Sequence, residues 1–331
     1  MANKFSHLVS TLALGLAALC ASTAQASPYS DLFVFGDSLS DTGNLSIATG
    51  GAQPPAGQPY YNGRFSDGPI WIDYLAAGLG LPLGAMPSLA GGHDYAFAGA
   101  RTGTSGSPPG VLAQVAGMWA PAHAVADPGA LYVVVGGGND MRDARTAYTT
   151  NSAADQAGRQ AAAQAAVNNL YNSLAVLAAH GAKHVLIADL PDLGLTPEAV
   201  FLGVQAASSD ASARFNALIL GLEVQAEALL GLDVDLLSLA GIGTAVRNDA
   251  LNNGGGIYGI TNVSLPCAGF AGSAGTACSA SAFSDALHPS SAIGGIFGAA
   301  AIALVPEPGS VALVLLAVVG LTLQRRRVVR V

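Results

Sequence analysis
The chain has 331 residues, a formal net charge of −8, and only 10% charged against 51% hydrophobic residues, a length that holds one large domain or two ordinary ones. Setting both termini aside removes five of the 13 basic residues and, with Glu307 kept, leaves 8 against 21 acidic ones, a net of −13. That balance argues against nucleic acid as a partner, which needs a basic footprint, and against tight adhesion to anionic lipid.

The first 26 residues combine Lys4 with the apolar run LVSTLALGLAAL and close on Ala24-Gln25-Ala26, the small-x-small pattern of a secretory signal peptide cut after Ala26. Cys20 offers a lipoprotein alternative, against which the bulky Leu19 before it counts. Residues 31–36 are a predicted strand that stops at Gly36-Asp37-Ser38. A strand ending in such a turn lifts the Ser38 hydroxyl to the carboxyl edge of a sheet, where open α/β sheets place ligand crevices. Read alone, the turn serves equally well to cap the next helix, because Asp and Ser bond nearby backbone N–H groups.

The Gly/Pro-rich stretch ATGGAQPPAGQPYYNG follows. A long loop near a strand's carboxyl end is usually functional, so 47–61 is expected to form a substrate-facing rim. It leads to a helix over GPIWIDYLAAGLG, with Ile70, Ile72, Tyr74 and Leu75 as apolar contacts, and HDYAFAGA from residue 93 is strand-like. ALYVVVGGGND at 130–140 is a continuous apolar run ending in glycines, the mark of a strand buried on both faces. KHVLIADLPDL at 183–193 repeats it, and LDVDLLSL at 232–239 is a weaker third case. Between them, Ala-rich stretches at 153–180 and 208–230 are long enough for helical crossovers. Strands alternating with helices predict an α/β fold with a parallel sheet covered on both sides, in one domain from 27 to 303.

Cys267 and Cys278, in CAGFAGSAGTAC, form an even pair once Cys20 leaves with the signal peptide. In an exported chain that pair reads as a disulfide, and zinc is disfavoured because no His or further Cys shares the segment. Of the histidines beyond the signal peptide, His93, His123, His180 and His184 have structural explanations near helix or strand ends. His288 differs: FSDALHPSS puts Asp285 three residues before it, within reach of Nδ1–H, which would leave Nε2 free to take a proton. Pro289 biases His288 to an extended backbone and starts a helix over SSAIGGIFGAAAIAL; an exposed loop with a helix cap is the alternative. Asn139, after its buried strand, is a candidate donor to a developing oxyanion. Gly99 could lend a backbone N–H or merely make a turn, and Asp37 and Asp140 read as loop-bracing carboxylates.

At the far end, VPEPGSVALVLLAVVGLTLQRRRVVR holds an apolar run from Val311 to Leu323, shorter than the about 20 residues that span a bilayer comfortably. Arg325, Arg326, Arg327 and Arg330 would keep its end cytoplasmic. The layout is that of a cleaved sorting tail or of a plain membrane anchor.

FGDSLSDTGN, YAFAGA, GGGND and SDALHP stand in the order and approximate spacing of the four signature blocks of the GDSL (SGNH) family of serine esterases and lipases, and the resemblance covers nearly all of 31–291. YNGRFSDGPIWIDYLA resembles the segment between the first two blocks in the plant-type and secreted bacterial branch. The resemblance implies a flavodoxin-like three-layer α/β/α sandwich with a central, mainly parallel sheet, and an acyl ester as substrate. It makes Ser38 the nucleophile, His288 the general base and Asp285 its orienting acid, with an oxyanion hole from the Ser38 and Gly99 backbone N–H groups and the Asn139 side chain. The departure is Asp94, where the second block often begins with Asn. No cofactor or metal is implied, because no ligand cluster or phosphate-binding loop is present. The PEP motif at 306–308, apolar run and Arg cluster resemble the PEP-CTERM sorting signal of Gram-negative bacteria. That implies a transient inner-membrane stage, processing by an exosortase, and delivery to the cell surface or extracellular matrix. A non-catalytic surface or matrix protein on this scaffold, or a polysaccharide O-deacetylase of the same fold, are the alternative readings.

Overall fold
Along β1 (Leu32–Phe35) all four side chains are buried, Phe33 and Phe35 toward one face of the sheet and Leu32 and Val34 toward the other, so the strand needs cover on both sides. The computed structural model, which describes residues 29–305, provides it in three layers. β1 pairs in parallel with β2 (Leu131–Val134), β2 with β3 (His184–Ala188), and β3 with β4 (Asp233–Leu237). Beyond β1, residues 93–97 run as an irregular parallel edge: Val34 N–H donates to His93 O at 3.0 Å, Tyr95 N–H to Val34 O at 2.7 Å, and Phe97 N–H to Gly36 O at 3.1 Å. With that edge counted, the second segment in the chain lies outside the first, which is the flavodoxin-like order with its switch point beside β1. The strand expected from HDYAFAGA is reduced to this edge, along which the Asp94 carboxylate accepts Ala96 N–H at 2.8 Å.

On one face, the short helical segment 111–119, α3 (Gly138–Ala147), α4 (Ala153–His180) and α6 (Gln205–Leu230) pack over Phe33, Phe35, Tyr132 and Val134. Helix α4 buries Ala163, Ala166, Leu170, Leu174 and Leu177, a single stripe at helical spacing. Ser152 caps its start by accepting Asp155 N–H, and Gly181 closes it in the left-handed conformation at φ 105°, as a C-terminal glycine does. The short α1 (Asn44–Ala48) follows the Ser38 turn, and on the opposite face lie α2 (Trp71–Leu79), α7 (Leu239–Asn253) and α8 (Ser291–Leu304). Helices α2 and α8 approach through glycine: a Cβ on Gly78 would stand 2.3 Å from Ile302, and one on Gly298 2.5 Å from Tyr74.

Between α7 and α8, β5 (Asn262–Pro266) and β6 (Ser281–Phe283) form a separate parallel pair. A disulfide joins Cys267 to Cys278 across their connection, with Cα atoms 4.8 Å apart. Cys267 N–H also donates to Phe283 O at 3.0 Å and to Ser284 O at 3.1 Å, tying the stapled loop to the chain just before Asp285. Among the described residues, no helix is long and apolar enough to cross a membrane. The expected signal peptide at 1–26, and the sorting tail expected over 304–331 from its PEP motif onward, lie outside the described residues.

Candidate active site
The chain leaves β1 through a turn clamped by a buried glutamine. Gln114 Oε1 accepts Gly36 N–H at 2.8 Å, while its Nε2 donates to Gly36 O at 2.8 Å and Pro109 O at 3.0 Å. A Cβ at Gly36 would meet Val135 O at 2.8 Å, so the end of β2 presses on this turn and glycine is required there. Ser38 follows, its side chain turned to the sheet's carboxyl edge. His288 Nε2 lies 2.9 Å from Ser38 Oγ, and His288 Nδ1 lies 2.7 Å from Asp285 Oδ2. A residue 250 positions distant in the chain thus meets the serine.

Asp285 reaches its imidazole because its other oxygen folds the loop. Oδ1 accepts Leu287 N–H at 2.8 Å and His288 N–H at 2.6 Å, the side-chain turn that short acidic residues favour. Oδ2 accepts a further bond from the Tyr60 hydroxyl at 2.7 Å. Burial alone would raise the Asp285 pKa, but the His288 charge and the bonds from His288 and Tyr60 prevail and hold it well below the usual carboxylate range. The Tyr60 ring packs edge-on to Phe270 with centroids 5.0 Å apart, and Phe65 sits 5.1 Å from the imidazole.

This placement corrects the expectation for 47–61, since none of its residues lines the cleft beside Ser38. The loop folds against the stapled segment, with Pro59 packed on Gly269 and Gln58 Oε1 accepting Ala271 N–H at 3.5 Å. It buttresses the acid from behind.

Asn139 sits in the first turn of α3, where Gly137 holds φ 113° and a Cβ would lie 2.4 Å from Phe215. Its Nδ2 donates to Ala100 O at 2.9 Å and its Oδ1 accepts from Arg142 Nη1 at 3.0 Å. The amide's orientation is fixed, and one N–H remains uncommitted. Arg142 is itself anchored by two bonds to the Glu198 carboxylate. Gly99 adopts φ 83°, and the backbone N–H groups of Ser38 and Gly99 have no acceptor among the described residues. Ser38, Asn139 and His288 line the cleft, whereas Asp285 lies behind the imidazole and Gly99 is outside the lining. The cleft's walls are apolar, with Leu190, Leu193, Val246, Val263, Phe283 and Ile293 among them.

Among the described residues, each remaining histidine holds a partner: Asp31 for His93, Trp119 O for His123, His123 O for His180 and Asp233 for His184. Asp140 accepts Thr102 N–H and its hydroxyl, and Asp37 accepts Leu39 N–H. Asp67, Cys267 and Cys278 cluster at metal-like spacing, but the two sulfurs are bonded to each other and offer no thiolate. Sequence reasoning missed Tyr60, Gln114 and Arg142. Only Arg142 carries a signal, its i, i+3 spacing from Asn139 on one helix.

A serine, an imidazole and a carboxylate in series at the carboxyl edge of a flavodoxin-like sheet are the arrangement of an acyl-transfer hydrolase fold. The family model for GDSL-like lipases and acylhydrolases matches residues 32–298, and the chain belongs to that family. It is 32% identical over 229 residues to the phosphatidylcholine-sterol acyltransferase of Aeromonas hydrophila, covering 64% of this chain and 60% of that protein. It is 30% identical over 256 residues to the esterase EstA of Pseudomonas aeruginosa, covering 66% of this chain but 37% of that one. The chain thus spans less than two thirds of these relatives. Among solved structures, the phospholipase A1 of Streptomyces albidoflavus NA297 superposes with a TM-score of 0.43 at 16% identity, over 83% of this chain and 98% of that one.

Asp37 carries a pH signature. Burial, partly offset by Leu39 N–H and the His288 charge, pushes its pKa up from 3.8 to about 6. In the unfolded chain it ionises near 3.8, so the folded state holds the proton more tightly. The stability this provides is complete below the unfolded value and is lost as pH rises through about 6. Asp37→Asn removes that dependence: relative to wild type it should become more stable between pH 4 and pH 7, by up to about 3 kcal/mol. Urea denaturation of both proteins across that window measures it, and a pH-independent difference would contradict it.

Proposed function
We propose that the protein hydrolyses carboxylic esters through an acyl-enzyme on Ser38. The observation that carries this reading is the continuous chain from Ser38 Oγ through His288 to Asp285 at 2.9 and 2.7 Å. Ser38 Oγ attacks the ester carbonyl as Nε2 takes its proton, and the imidazolium so formed faces a carboxylate that stays ionised. His288 then gives that proton to the leaving alcohol. It next deprotonates a water, which releases the acid and restores the serine. The oxyanion would be met by the uncommitted N–H of Asn139 and the free amides of Ser38 and Gly99. The apolar cleft supports an acyl chain over a sugar as the group held beside Ser38. We further infer that the chain is exported and that its tail is a removable sorting signal. The signal-peptide pattern, the acidic balance and the disulfide, a bond of oxidising compartments, support this.

Ser38→Ala should abolish 4-nitrophenyl ester turnover without unfolding the protein; near-wild-type rates would sink the mechanism. Asn139→Ala should lower kcat by about 10²-fold or more at little change in KM, because its amide serves charge that exists only in the transition state. A melting-temperature loss with unchanged kcat would instead make it a loop brace. Tyr60→Phe removes one bond to a charged carboxylate and should cost kcat roughly tenfold or less with KM near wild type. Steady-state kinetics decides, and an unaltered kcat would strip Tyr60 of a positioning role. For the tail, intact-mass measurement of protein recovered outside the cell should find the sequence after the PEP motif missing, and its retention would refute cleavage.

A further inference from the structure
The cleft beside Ser38 contains an unpartnered cation. Every other arginine among the described residues is committed to a carboxylate: Arg64 to Asp73, Arg101 to Asp143, Arg142 and Arg145 to Glu198, Arg159 and Arg214 to Asp210. The Arg247 guanidinium has no ion pair or hydrogen bond among the described residues, and the residue is half-buried and lines the cleft. In a domain this acidic, with carboxylates outnumbering cations along the whole chain, an arginine left without one calls for a physical reason.

Its placement gives the reason a shape. Ala240, Gly243, Thr244 and Arg247 all line the cleft, and their spacing puts them on one stripe of α7. That stripe starts at the end of α7 nearest the sheet's carboxyl edge, where Ala240 N–H donates to Asp189 at 2.8 Å, and reaches Arg247 about 10 Å further along the axis. The first positions are small and leave room, and the last two add a hydroxyl and a guanidinium. The Thr244 hydroxyl also has no hydrogen-bond partner among the described residues. Two carboxylates share the cleft, each with one oxygen engaged elsewhere, Asp37 Oδ1 by Leu39 N–H and Asp192 Oδ1 by Gly194 N–H and the Ser209 hydroxyl, and neither forms an ion pair with Arg247. A half-desolvated guanidinium among apolar walls binds carboxylate or phosphate oxygens through charge-assisted hydrogen bonds, in a geometry suited to two oxygens at once.

We propose that Arg247, with Thr244, forms an anion subsite in the cleft, so that the preferred esters carry a carboxylate or phosphate separated from the scissile carbonyl by an apolar stretch. This rests on the ester-hydrolase reading and narrows its substrate class. Either half of the ester can carry the anion, and two substrate pairs separate the cases. On the acyl side, mono-4-nitrophenyl adipate is compared with 4-nitrophenyl hexanoate; on the alcohol side, hexanoyl glycerol 3-phosphate with hexanoyl glycerol.

In wild type, kcat/KM for the anionic member of at least one pair should exceed that of its neutral partner. That ratio should fall roughly tenfold in Arg247→Gln, fall further in Arg247→Glu, be partly kept in Arg247→Lys, and shrink with added salt. An equal ratio in wild type and Arg247→Gln for both pairs overturns the subsite. Absence of turnover of any neutral ester by wild type would instead sink the hydrolase reading. The subsite is then judged by calorimetric titration of monomethyl adipate and hexyl phosphate into the Ser38→Ala protein with and without Arg247→Gln. Binding weakened about tenfold by the second substitution upholds the subsite, and unchanged or undetectable binding refutes it.

Discussion
Two carboxylates buried against backbone amides hold the loops of this molecule in register. Asp41 accepts N–H groups from Gly43, Asn44, Leu45 and, across the sheet edge, Ala98 at 2.7 Å. Asp94 accepts the Thr42 N–H and hydroxyl with one oxygen and Ala96 N–H with the other. Asn44 completes the knot by donating to the carbonyls of Asp94 and Ala96. The turn that carries Ser38 and the turn that carries Gly99 are therefore one rigid body. Burial raises both pKa values, Asp94's further because Asp41 lies beside it. The same geometry accounts for an aspartate at the head of the second block. Both of its oxygens accept from donors, and an asparagine would turn an N–H₂ group on one of them.

The central sheet was legible because its strands are continuous apolar runs and its crossovers are long Ala-rich helices, signals that survive without any tertiary context. Observed strands at 32–35, 131–134, 184–188 and 233–237 fall inside the expected segments, as does α4 at 153–180. The β5–β6 pair escaped, being short and broken by irregular register. Ser38, Asn139, Asp285 and His288 could be singled out since each stands in a compact motif at the end of a predicted element. Tyr60 and Gln114 could not, because their partners lie 225 and 78 residues away, and nothing in local composition marks a side chain whose role is to hold another. The 47–61 loop was misread for a related reason. Its glycines and prolines report an irregular backbone but do not say which face of the molecule it covers.

Charge is distributed with the same economy as packing. Each arginine on the helical layer over α3, α4 and α6 closes a contact between elements: Arg142 and Arg145 join α3 to Glu198 on α5 (Pro197–Leu202), and Arg159 joins α4 to Asp210 on α6. Against the Glu198 pair, burial would raise the carboxyl pKa, yet the two guanidinium groups hold it below the ordinary value. Glu198 thereby reaches the site at one remove, since the arginine it grips is the one that sets the Asn139 amide.

The separation of 250 residues between Ser38 and His288 has a consequence for the order of events during synthesis. The serine's turn, with its aspartate knot and the glutamine clamp above it, draws only on residues up to 135. The imidazole is delivered by the loop before α8, and α8 docks on α2 through contacts that need glycine on both helices. A ribosome therefore releases the complete Ser38 turn long before the segment that carries His288. Docking of α8 is what brings the imidazole to the serine.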